Sequence, residues 1–523
     1  MSEHRPGRTA YVLESGPDGL AFQSTGSDSS YSPSHTSFPF SMSSAPIYTA
    51  AVDLGATSGR VILGSWVKQR LELKEVHRFP NSFRTLGSHD YWEIGGLWSE
   101  VQTGLRAAAM ALPRNARLTS VGVDTWGADY ALLNDAGRLV FPVHAYRDSR
   151  TRPGLERLAH TRAALDRIYA ATGIPNVFYN TSLQLEEAIA SCPALTDLAS
   201  RCLFLSDYFN FLLSGKAANE FSIASTSQLI DVHTKSWSRA ALDHFRVPST
   251  WFSTPVLAGT RLGGLRKDIA NLHPALAKTQ VVAVPGHDTA CAYDAMPASS
   301  DGSDLFLSSG TWLLVGFEST QPVLGSEALA ARIANERTGD GRYRPLTNVI
   351  GLWLLEGTLK DFDSRPQSSK EWASLIAAAE KQPAPPVLIE VTDPALGNPA
   401  SMRAVIDAQI RKRKGRVPKD MAGYMRLICD SLGRGHADAM HAFERLAQRT
   451  FKRILMVGGG AKNRLLCQAT ADACGIPVVA FDLEGSSVGN IASQLIAFKK
   501  VKNLVTFRAL LGSRLDKRTY SPR

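Results

Sequence analysis

The sequence has no hydrophobic run long enough to cross a membrane, and it has few cysteines. No window reaches the about 18 consecutive apolar residues that a membrane-spanning helix needs. The N-terminus lacks a basic segment followed by an apolar stretch and a cleavage site, so we expect no export. The six cysteines include no C-x-x-C pair, which favours reduced thiols over a disulfide framework or a zinc site. These absences predict a cytoplasmic protein without a membrane partner.

The basic residues are not concentrated enough to indicate a nucleic-acid surface. The formal charge is +10, yet the lysines and arginines are scattered apart from one compact run at 411–416 (RKRKGR) and a weaker one at 499–502. A solvated surface is the favoured interpretation of both runs, and a nucleic-acid partner is the alternative. We therefore predict no nucleic-acid partner, and the positive balance is compatible with anionic small-molecule substrates such as nucleotides.

At 523 residues the chain is too long for one hydrophobic core, and its composition divides it into four segments. Residues 1–45 are rich in Ser, Gly and Pro and predict a disordered tail or a misassigned start. Two large domains are predicted at 46–297 and 298–505. Residues 506–523 are assigned to a C-terminal tail.

The first domain opens with a meander of strands. Apolar stretches at 47–52, 60–66 and 71–79 are followed by a helical spacing of apolar residues between 97 and 112, and then by a buried strand at 118–123. Three strands, a helix and a strand is the opening order of the ribonuclease H-like fold. The sequence therefore predicts an α/β protein.

A weaker copy of this pattern follows in the second domain. Strands are predicted within 305–346, a long helix near 425–443, and a strand at 453–457 that runs into three glycines. Two copies of one α/β unit explain the recurrence, and we place the boundary near residue 297. The predicted fold class is two ribonuclease H-like domains of the actin-like ATPase type, with an ATP cleft between them.

The first motif with chemical content is the turn at 53–60 (DLGATSGR). Gly55 and Gly59 allow a tight turn, the backbone N–H groups can hold phosphate oxygens, and Arg60 offers charge. Asp53 is predicted to hold Mg²⁺ through water. An ordinary hairpin turn is the alternative interpretation.

Two further glycine-rich turns lie in the second domain. The segment 307–312 (LSSGTW) joins two predicted strands, and 457–463 (VGGGAKN) joins a strand to a helix. The first occupies the place that 53–60 has in the first domain, which fits a nucleotide held between two repeats. Each turn taken alone is as consistent with a structural role as with a functional one.

The fourth motif, 285–290 (PGHDTA), places Asp288 at or near the start of a helix. The helix dipole stabilises a carboxylate there as the anion. An ionised carboxylate can accept the proton of an attacking hydroxyl during phosphoryl transfer. The alternative is an aspartate that only caps the helix.

Six segments occur in an order that resembles the FGGY carbohydrate kinases, and the resemblance runs from about residue 47 to about 498. They are 53–60, 121–130 (VGVDTWGADY), 286–290, 307–312, 348–355 (NVIGLWLL) and 458–463. The resemblance implies two ribonuclease H-like domains around an ATP cleft. It implies a kinase that transfers the γ-phosphate of ATP to a small ketose, with L-rhamnulose as the predicted acceptor in rhamnose catabolism.

The resemblance also implies the site residues. The predicted ATP contacts are Ala56, Thr57, Ser58, Gly59, Arg60, Thr311, Glu356 and Gly459. The predicted sugar contacts are Gly127, His287, Asp288, Thr289 and Asn348. Asp288 is the implied proton acceptor, and ATP with Mg²⁺ is the implied co-substrate.

The sequence departs from the family pattern at three places. Residues 1–45 have no counterpart, 335–341 (NERTGDG) replaces a segment that usually reads N-E-G-G, and Glu356 stands where a glutamine near ATP is usual. We expect Glu356 to be tolerated because Mg²⁺ or Lys462 offsets its charge, or because it contacts the ribose hydroxyls instead of the phosphates. The alternatives are a kinase for another ketose or polyol, such as L-fuculose or D-xylulose, and a non-catalytic actin-like ATP-binding regulator. The sequence does not predict an oligomeric state.

Overall fold

A computed structural model describes residues 45–523, with the exception of 311, 364 and 398. The tail predicted for residues 1–45 lies outside the described residues apart from Ala45, and so does the predicted ATP contact Thr311. Within the described ranges, no helix combines the length and the apolar character that a membrane span needs.

The first half of the described chain mixes strands and helices. In chain order its elements are β1 (Ile47–Leu54), β2 (Ser58–Val67), β3 (Arg70–Pro80), β4 (Phe83–Leu86), β5 (His89–Trp92), α1 (Ile94–Met110), β6 (Ser120–Thr125), β7 (Tyr130–Leu133), α2 (Arg152–His160), α3 (Arg162–Thr172), α4 (Thr181–Ser191), α5 (Leu195–Leu198), β8 (Arg201–Phe204), α6 (Leu205–Ser214), α7 (Phe221–Ala224), α8 (Arg239–His244), β9 (Thr260–Gly264), α9 (Lys267–Ala270), β10 (Gln280–Ala283) and α10 (Asp288–Ala295). Short 3₁₀ turns lie at Ser149–Thr151, Ser225–Ser227, Ser249–Trp251 and Pro274–Leu276.

The second half repeats this mixture. In chain order its elements are β11 (Asp304–Ser309), β12 (Trp312–Phe317), α11 (Ser326–Ala330), β13 (Ala334–Arg337), β14 (Tyr343–Ile350), α12 (Trp353–Asp361), α13 (Ser369–Glu380), α14 (Met402–Lys412), α15 (Met421–Ala447), β15 (Arg453–Val457), α16 (Arg464–Cys474), β16 (Val478–Phe481), α17 (Gly485–Ala497), α18 (Leu504–Gly512) and β17 (Lys517–Tyr520). Its 3₁₀ turns lie at Pro394–Leu396 and Gly459–Lys462.

The two halves are built on sheets of matching topology. The first sheet has the order β3-β2-β1-β6-β10-β9, and the second has the order β13-β14-β12-β11-β15-β16-β17. In each, an antiparallel meander joins a central strand whose other neighbours are parallel to it: β1, β6 and β10 in the first, and β11, β15 and β16 in the second. The predicted pair of ribonuclease H-like units is therefore confirmed. The predicted boundary near residue 297 falls between α10 and β11.

The chain after residue 505 takes part in the second unit. Residues 506–523 include most of α18 and the strand β17, which pairs antiparallel with β16 at the edge of the second sheet. Phe507 of α18 also packs in a cluster with Ile47 and Ala51 of the first sheet, so the segment assigned to a tail is folded.

The central strand β1 is buried on both faces, as expected for a strand covered by helices on either side. Ala50, Val52 and Leu54 pack in one core with the helix α1, whose predicted spacing of apolar residues is confirmed. Ala51 faces the other way and packs with Ile491 of α17. A helix from the second half of the chain thus covers one face of the first sheet.

The two halves meet where α10 and α17 cross with their backbones in direct contact. A Cβ atom at Gly489 would lie 1.9 Å from the carbonyl oxygen of Cys291, and one at Gly485 would lie 3.2 Å from Cα of Ala292. Glycine is required at position 489 because any side chain would overlap the backbone of α10. This crossing brings the start of α17 next to the end of β1.

A helical insertion between β7 and β9 has a hydrophobic core of its own. Leu158, Ile168, Leu185 and Leu242 belong to that core, which is separate from the clusters on the two sheets. The sequence analysis did not predict this region as a unit.

Candidate active site

The predicted phosphate turn between β1 and β2 is held in place by Asn81. The backbone N–H of Asn81 donates to the carbonyl of Thr57 at 3.0 Å, and its side-chain amide donates to the carbonyl of Gly55 at 2.8 Å. A Cβ atom at Gly59 would lie 2.3 Å from the ring of Phe79, so that glycine is required by packing against β3. The turn is therefore a fixed loop with the exposed Thr57 at its tip.

Arg60 lies between two carboxylates from different halves of the chain. Its Nε and Nη2 atoms donate to Oδ2 of Asp53 at 3.0 and 2.9 Å, and its Nη1 donates to Glu484 at 2.5 Å. Burial acts to lower the pKa of Arg60, but Asp53 and Glu484 outweigh it and raise the pKa. Ser486 also donates to Oδ2 of Asp53, at 2.5 Å. The N-terminal end of α17 is thus bound to the predicted phosphate turn.

Asp53 has a second carboxylate beside it. Asp124 lies opposite Asp53 on the neighbouring parallel strand, and its side chain is fully buried. Burial, followed by the charge of Asp53, raises the pKa of Asp124. One carboxylate oxygen of Asp124 accepts from Asn490 at 2.6 Å, while the other has no hydrogen-bond partner among the described residues.

This pair of carboxylates fits a hydrated hard cation. Mg²⁺ prefers oxygen ligands and keeps several waters when it is bound by one or two carboxylates together with substrate phosphates. Among the residues that the structure describes, no group of three or more His, Cys, Asp or Glu side chains could hold a metal ion. Two carboxylates beside the predicted phosphate turn suit a cation that arrives with a nucleotide.

The two glycine-rich turns of the second half come together at the ends of β11 and β15. Gly458 has φ +88°, and a Cβ atom there would lie 2.5 Å from the carbonyl oxygen of Ser309. A Cβ atom at Gly460 would lie 1.9 Å from Oγ of Ser309. A Cβ atom at Gly459 would have its nearest neighbour, on Leu352, at 3.7 Å, which is an ordinary van der Waals distance. Gly459 is therefore the member of this turn with room on its outer side.

Glu356 lies in the first turn of α12, where its N–H bonds to the carbonyl of Leu352. Its carboxylate accepts from Arg365 at 3.3 Å. Lys462, which the sequence analysis expected to offset the charge of Glu356, instead pairs with Asp482 at 3.0 Å. Lys462 is therefore not the partner of Glu356, because Arg365, nine residues along the chain, supplies the nearby cation. The Mg²⁺ and ribose alternatives stay predictions.

Gly127, His287 and Asp288 lie at the carboxyl ends of the parallel strands of the first sheet. The N–H of Thr125, the last residue of β6, donates to the carbonyl of Gly286 at 2.9 Å, which joins the two strand ends. A Cβ atom at Gly127 would lie 3.3 Å from Nε2 of His287. In open α/β sheets, ligands bind at this edge of the sheet.

Asp288 is the first residue of α10, and the helix cap is His287, so the interpretation of Asp288 as a helix cap is wrong. The N–H and Oγ1 of Thr289 donate to Oδ1 of Asp288 at 2.5 and 3.0 Å, and Nε2 of His287 lies 3.4 Å from the same oxygen. All three contacts are made by Oδ1 of Asp288. Burial raises the pKa of Asp288, the nearby Asp53 acts in the same direction, and His287 opposes them.

His287 is contacted by two charged residues from the second half of the chain. Nδ1 of His287 lies 2.8 Å from Nη2 of Arg344 and 3.3 Å from Oε2 of Glu336. Arg344 also donates through Nη2 to Glu336. Burial acts to raise the pKa of Glu336, but the guanidinium of Arg344 outweighs it and lowers the pKa to about 2.

The remaining predicted sugar contact, Asn348, lies on β14. Its side-chain amide donates to the hydroxyl of Tyr179 at 3.4 Å. Burial, and next the charge of Glu336, raise the pKa of Tyr179 to about 12, so its hydroxyl stays protonated at neutral pH.

Several residues of this arrangement were not singled out from the sequence: Asp124, Tyr179, Glu336, Arg344 and Glu484. Asp124 lies within the D-T-W-G string, which belongs to one of the six segments that resemble the family. Glu336 lies in the segment that departs from the family pattern. Arg344 and Glu484 had no local signal, because their partners are distant in the chain.

Comparison with protein families gives two matches that together span most of the chain. Residues 48–293 match the N-terminal domain of the FGGY family of carbohydrate kinases. Residues 305–498 match the C-terminal domain of the same family.

Curated relatives cover the same range. The chain is 38% identical over 478 residues to a rhamnulokinase of Enterobacter sp. (strain 638), which is 91% of this chain and 94% of that protein. It is 38% identical over 477 residues to a rhamnulokinase of Klebsiella pneumoniae (strain 342), with the same shares covered.

Solved structures agree on the fold. A gluconate kinase from Lactobacillus acidophilus superposes with a TM-score of 0.74 at 14% identity, over 92% of this chain and 94% of that one. A xylulose kinase from Rhodospirillum rubrum superposes with a TM-score of 0.74 at 17% identity, over the same shares.

Proposed function

This chain belongs to the FGGY family of carbohydrate kinases, and we propose that it transfers the γ-phosphate of ATP to L-rhamnulose, giving L-rhamnulose 1-phosphate in rhamnose catabolism. The observation that carries the chemical part of this proposal is the position of Asp288. Its Oδ1 atom is held by Thr289, and Asp288 opens α10 just after β10, whose carboxyl end lies beside those of the parallel strands β1 and β6.

Asp288 is the group that takes the proton of the attacking hydroxyl. The sugar lies between Gly127, His287 and Asn348, with its reacting hydroxyl on Oδ2 of Asp288. The proton passes to that oxygen as the bond to phosphorus forms, and a base placed in this way contributes typically about 10²- to 10⁴-fold to the rate. Protein groups otherwise act by positioning and by stabilising charge, as is general in phosphoryl transfer.

The nucleotide lies between the turn 53–60 and the glycine turn of the second half. Backbone N–H groups of Ala56 to Gly59 hold the phosphate oxygens, and the open face of Gly459 receives the adenosine part. When ATP binds, Mg²⁺ neutralises charge on the phosphates, and Asp53 with Asp124 would hold it through water.

The choice of sugar rests on the curated relatives. Two relatives with 38% identity are rhamnulokinases, whereas the xylulose and gluconate kinases that share the fold are 14 to 17% identical. L-Fuculose and D-xylulose are the competing acceptors. Cytoplasmic localisation fits the cysteines, because all six are free and all but Cys192 are buried.

The test is ATP turnover by the purified full chain against L-rhamnulose, L-fuculose, D-xylulose, D-gluconate and glycerol. We expect kcat/KM to be highest for L-rhamnulose and the product to carry phosphate on C1. A higher kcat/KM for another ketose would change the assigned sugar but would leave the assignment as a kinase unchanged. ATP hydrolysis that no sugar stimulates would refute the kinase in favour of a non-catalytic actin-like regulator.

A further inference from the structure

The two ring nitrogens of His287 face different environments. Nε2 faces Gly127 and Asp288 in the cleft, whereas Nδ1 faces Arg344 and Glu336 of the second half. The imidazole of His287 is largely buried, with 15% of its side chain exposed. A neutral imidazole carries one proton, and its hydrogen-bond partners decide which nitrogen holds it.

Arg344 determines which ring nitrogen of His287 carries the proton, because a guanidinium can only donate hydrogen bonds. At 2.8 Å, the N–H of its Nη2 atom needs the lone pair of Nδ1 as acceptor. A proton on Nδ1 would place two N–H groups against each other at that distance. The ring proton therefore lies on Nε2, the nitrogen that faces the cleft.

Glu336 competes for Nδ1 but at a longer distance. Its Oε2 atom lies 3.3 Å from Nδ1, and the same oxygen already accepts from Nη2 of Arg344. The role of Glu336 is thus to anchor Arg344, whose second anchor is the backbone carbonyl of Arg337 at 2.9 Å from Nε.

Burying Arg344 at this position lowers the stability of the fold. Its side chain is fully buried, and its Nη1 atom has no hydrogen-bond partner among the described residues. A buried donor left unpaired costs about 1 to 3 kcal/mol. An apolar residue would fill this position on β14 without that cost, which favours a role in the site.

We infer that Arg344 and Glu336 are positioning residues that hold His287 as the Nε2–H tautomer, with this N–H donating to a hydroxyl oxygen of the acceptor sugar beside Asp288. The identity of the receiving group rests on the proposed function. Because His287 belongs to the first half and Arg344 to the second, the tautomer is set only while the two halves are in contact.

The direct test is nitrogen NMR of the full chain with ¹⁵N-labelled histidine. The signals of His287 among the 12 histidines are identified by comparison with His287→Gln. We expect the Nε2–H pattern in the wild type and a mixture of tautomers in Arg344→Met. A wild-type spectrum with the proton on Nδ1 overturns the inference, and this result does not require any variant of Arg344 to fold.

The kinetic test separates positioning from general stability. Losing a hydrogen bond from a charged donor lowers kcat/KM by about ten- to hundredfold when the bond is made in the transition state. We expect Arg344→Met to lose this factor in kcat/KM for the sugar, with the KM for ATP within about twofold. Arg344→Lys, which keeps a donor and the charge, should recover part of the loss.

The matched control is Arg337→Met, because Arg337 is also a buried arginine, lies on the adjacent strand β13, and bonds to the carbonyls of Val232 and Gly341 instead of His287. We expect it to lower the thermal midpoint without changing the ¹⁵N pattern of His287. An equal kinetic loss in both variants would overturn the inference. If the wild type phosphorylates no sugar, the proposed function fails while the NMR test of the tautomer still decides the inference.

Discussion

Replacing Asp288 by asparagine tests the proposed base with little disturbance of its surroundings. The asparagine Oδ1 can still accept from the N–H and Oγ1 of Thr289, as the carboxylate does at 2.5 and 3.0 Å. The atom that changes is Oδ2, which becomes an amide nitrogen without a lone pair for a proton. We expect turnover of the best sugar to fall about 10²- to 10⁴-fold, or about 2.7 to 5.4 kcal/mol at 1.36 kcal/mol per tenfold.

The same helix offers a matched control in Asp294, six residues further on. Burial raises the pKa of Asp294 to about 8, so its carboxyl group is mostly neutral at pH 7. An amide is close in shape and charge to a neutral carboxylic acid, and Asp294 lies outside the proposed sugar and ATP contacts. Asp294→Asn should therefore keep turnover within about twofold of the wild type, a bound of less than 1 kcal/mol.

The assay measures ADP production with saturating sugar and ATP, and ATP binding is measured separately by calorimetry. Asp288→Asn should bind ATP with an affinity close to that of the wild type, because the substitution removes charge from the sugar side of the cleft. Turnover above half of the wild-type value would exclude Asp288 as the base. Parallel losses of turnover and ATP binding would show that the variant disturbs the nucleotide site instead.

Four further outcomes are expected. Asp294 has an unfolded pKa of 3.8 and a folded pKa of about 8, so the folded state loses stability as pH rises between these values. Asp294→Asn should therefore unfold at a higher temperature than the wild type at pH 8 and at a similar one near pH 4. Gly460→Ala should cost about 1 to 3 kcal/mol of stability and raise the KM for ATP, because its Cβ would lie 1.9 Å from a side-chain oxygen. Glu356→Gln should change the KM for ATP by less than about tenfold, or 1.4 kcal/mol, because a neighbouring arginine already pairs with the carboxylate. ATP and sugar together should draw the two halves closer, which solution scattering would detect as a smaller radius of gyration.

Each of these expectations has a control or a contrary outcome. An Asp294→Asn variant that is less stable than the wild type at pH 8 would refute the raised pKa. Gly95→Ala is the control for Gly460→Ala, since a Cβ atom there would meet nothing within 4 Å, and it should be neutral or stabilising. Loss of activity in Glu356→Gln, or a larger change in the sugar KM than in the ATP KM, would remove Glu356 from the nucleotide side. Unchanged scattering with both ligands bound would refute closure.

Much of the fold was predictable because it is local in the sequence. The helix α1 shows apolar residues at spacings of three and four, and the strands β1 and β15 are short apolar runs that end in turn residues. The crossing of α10 and α17 was not predictable, because nothing near Gly489 indicates that a distant backbone occupies its side-chain space.

The residues of the candidate site also fall into those that the sequence predicted and those that it did not. Residues carried by compact strings, such as Gly127, His287 and Asp288, were found from the sequence, and the structure brings them together. Arg344 was missed because it contacts His287 across 57 positions and lies in a strand with no motif of its own. A single sequence shows which residues follow each other, while these contacts depend on how the two sheets face each other.

The coverage of the first sheet by α17 has a consequence for the protein during its synthesis. The strand β1 leaves the ribosome about 430 residues before α17 does, which at about 5 to 20 residues per second is roughly 20 to 90 s. During that time Ala51 and Ile62 lack the partners Ile491 and Leu495 that cover them in the finished protein. The nascent chain therefore presents an apolar sheet face to the cell, and we expect it to depend on chaperones until α17, which lies close to the C-terminus, has emerged.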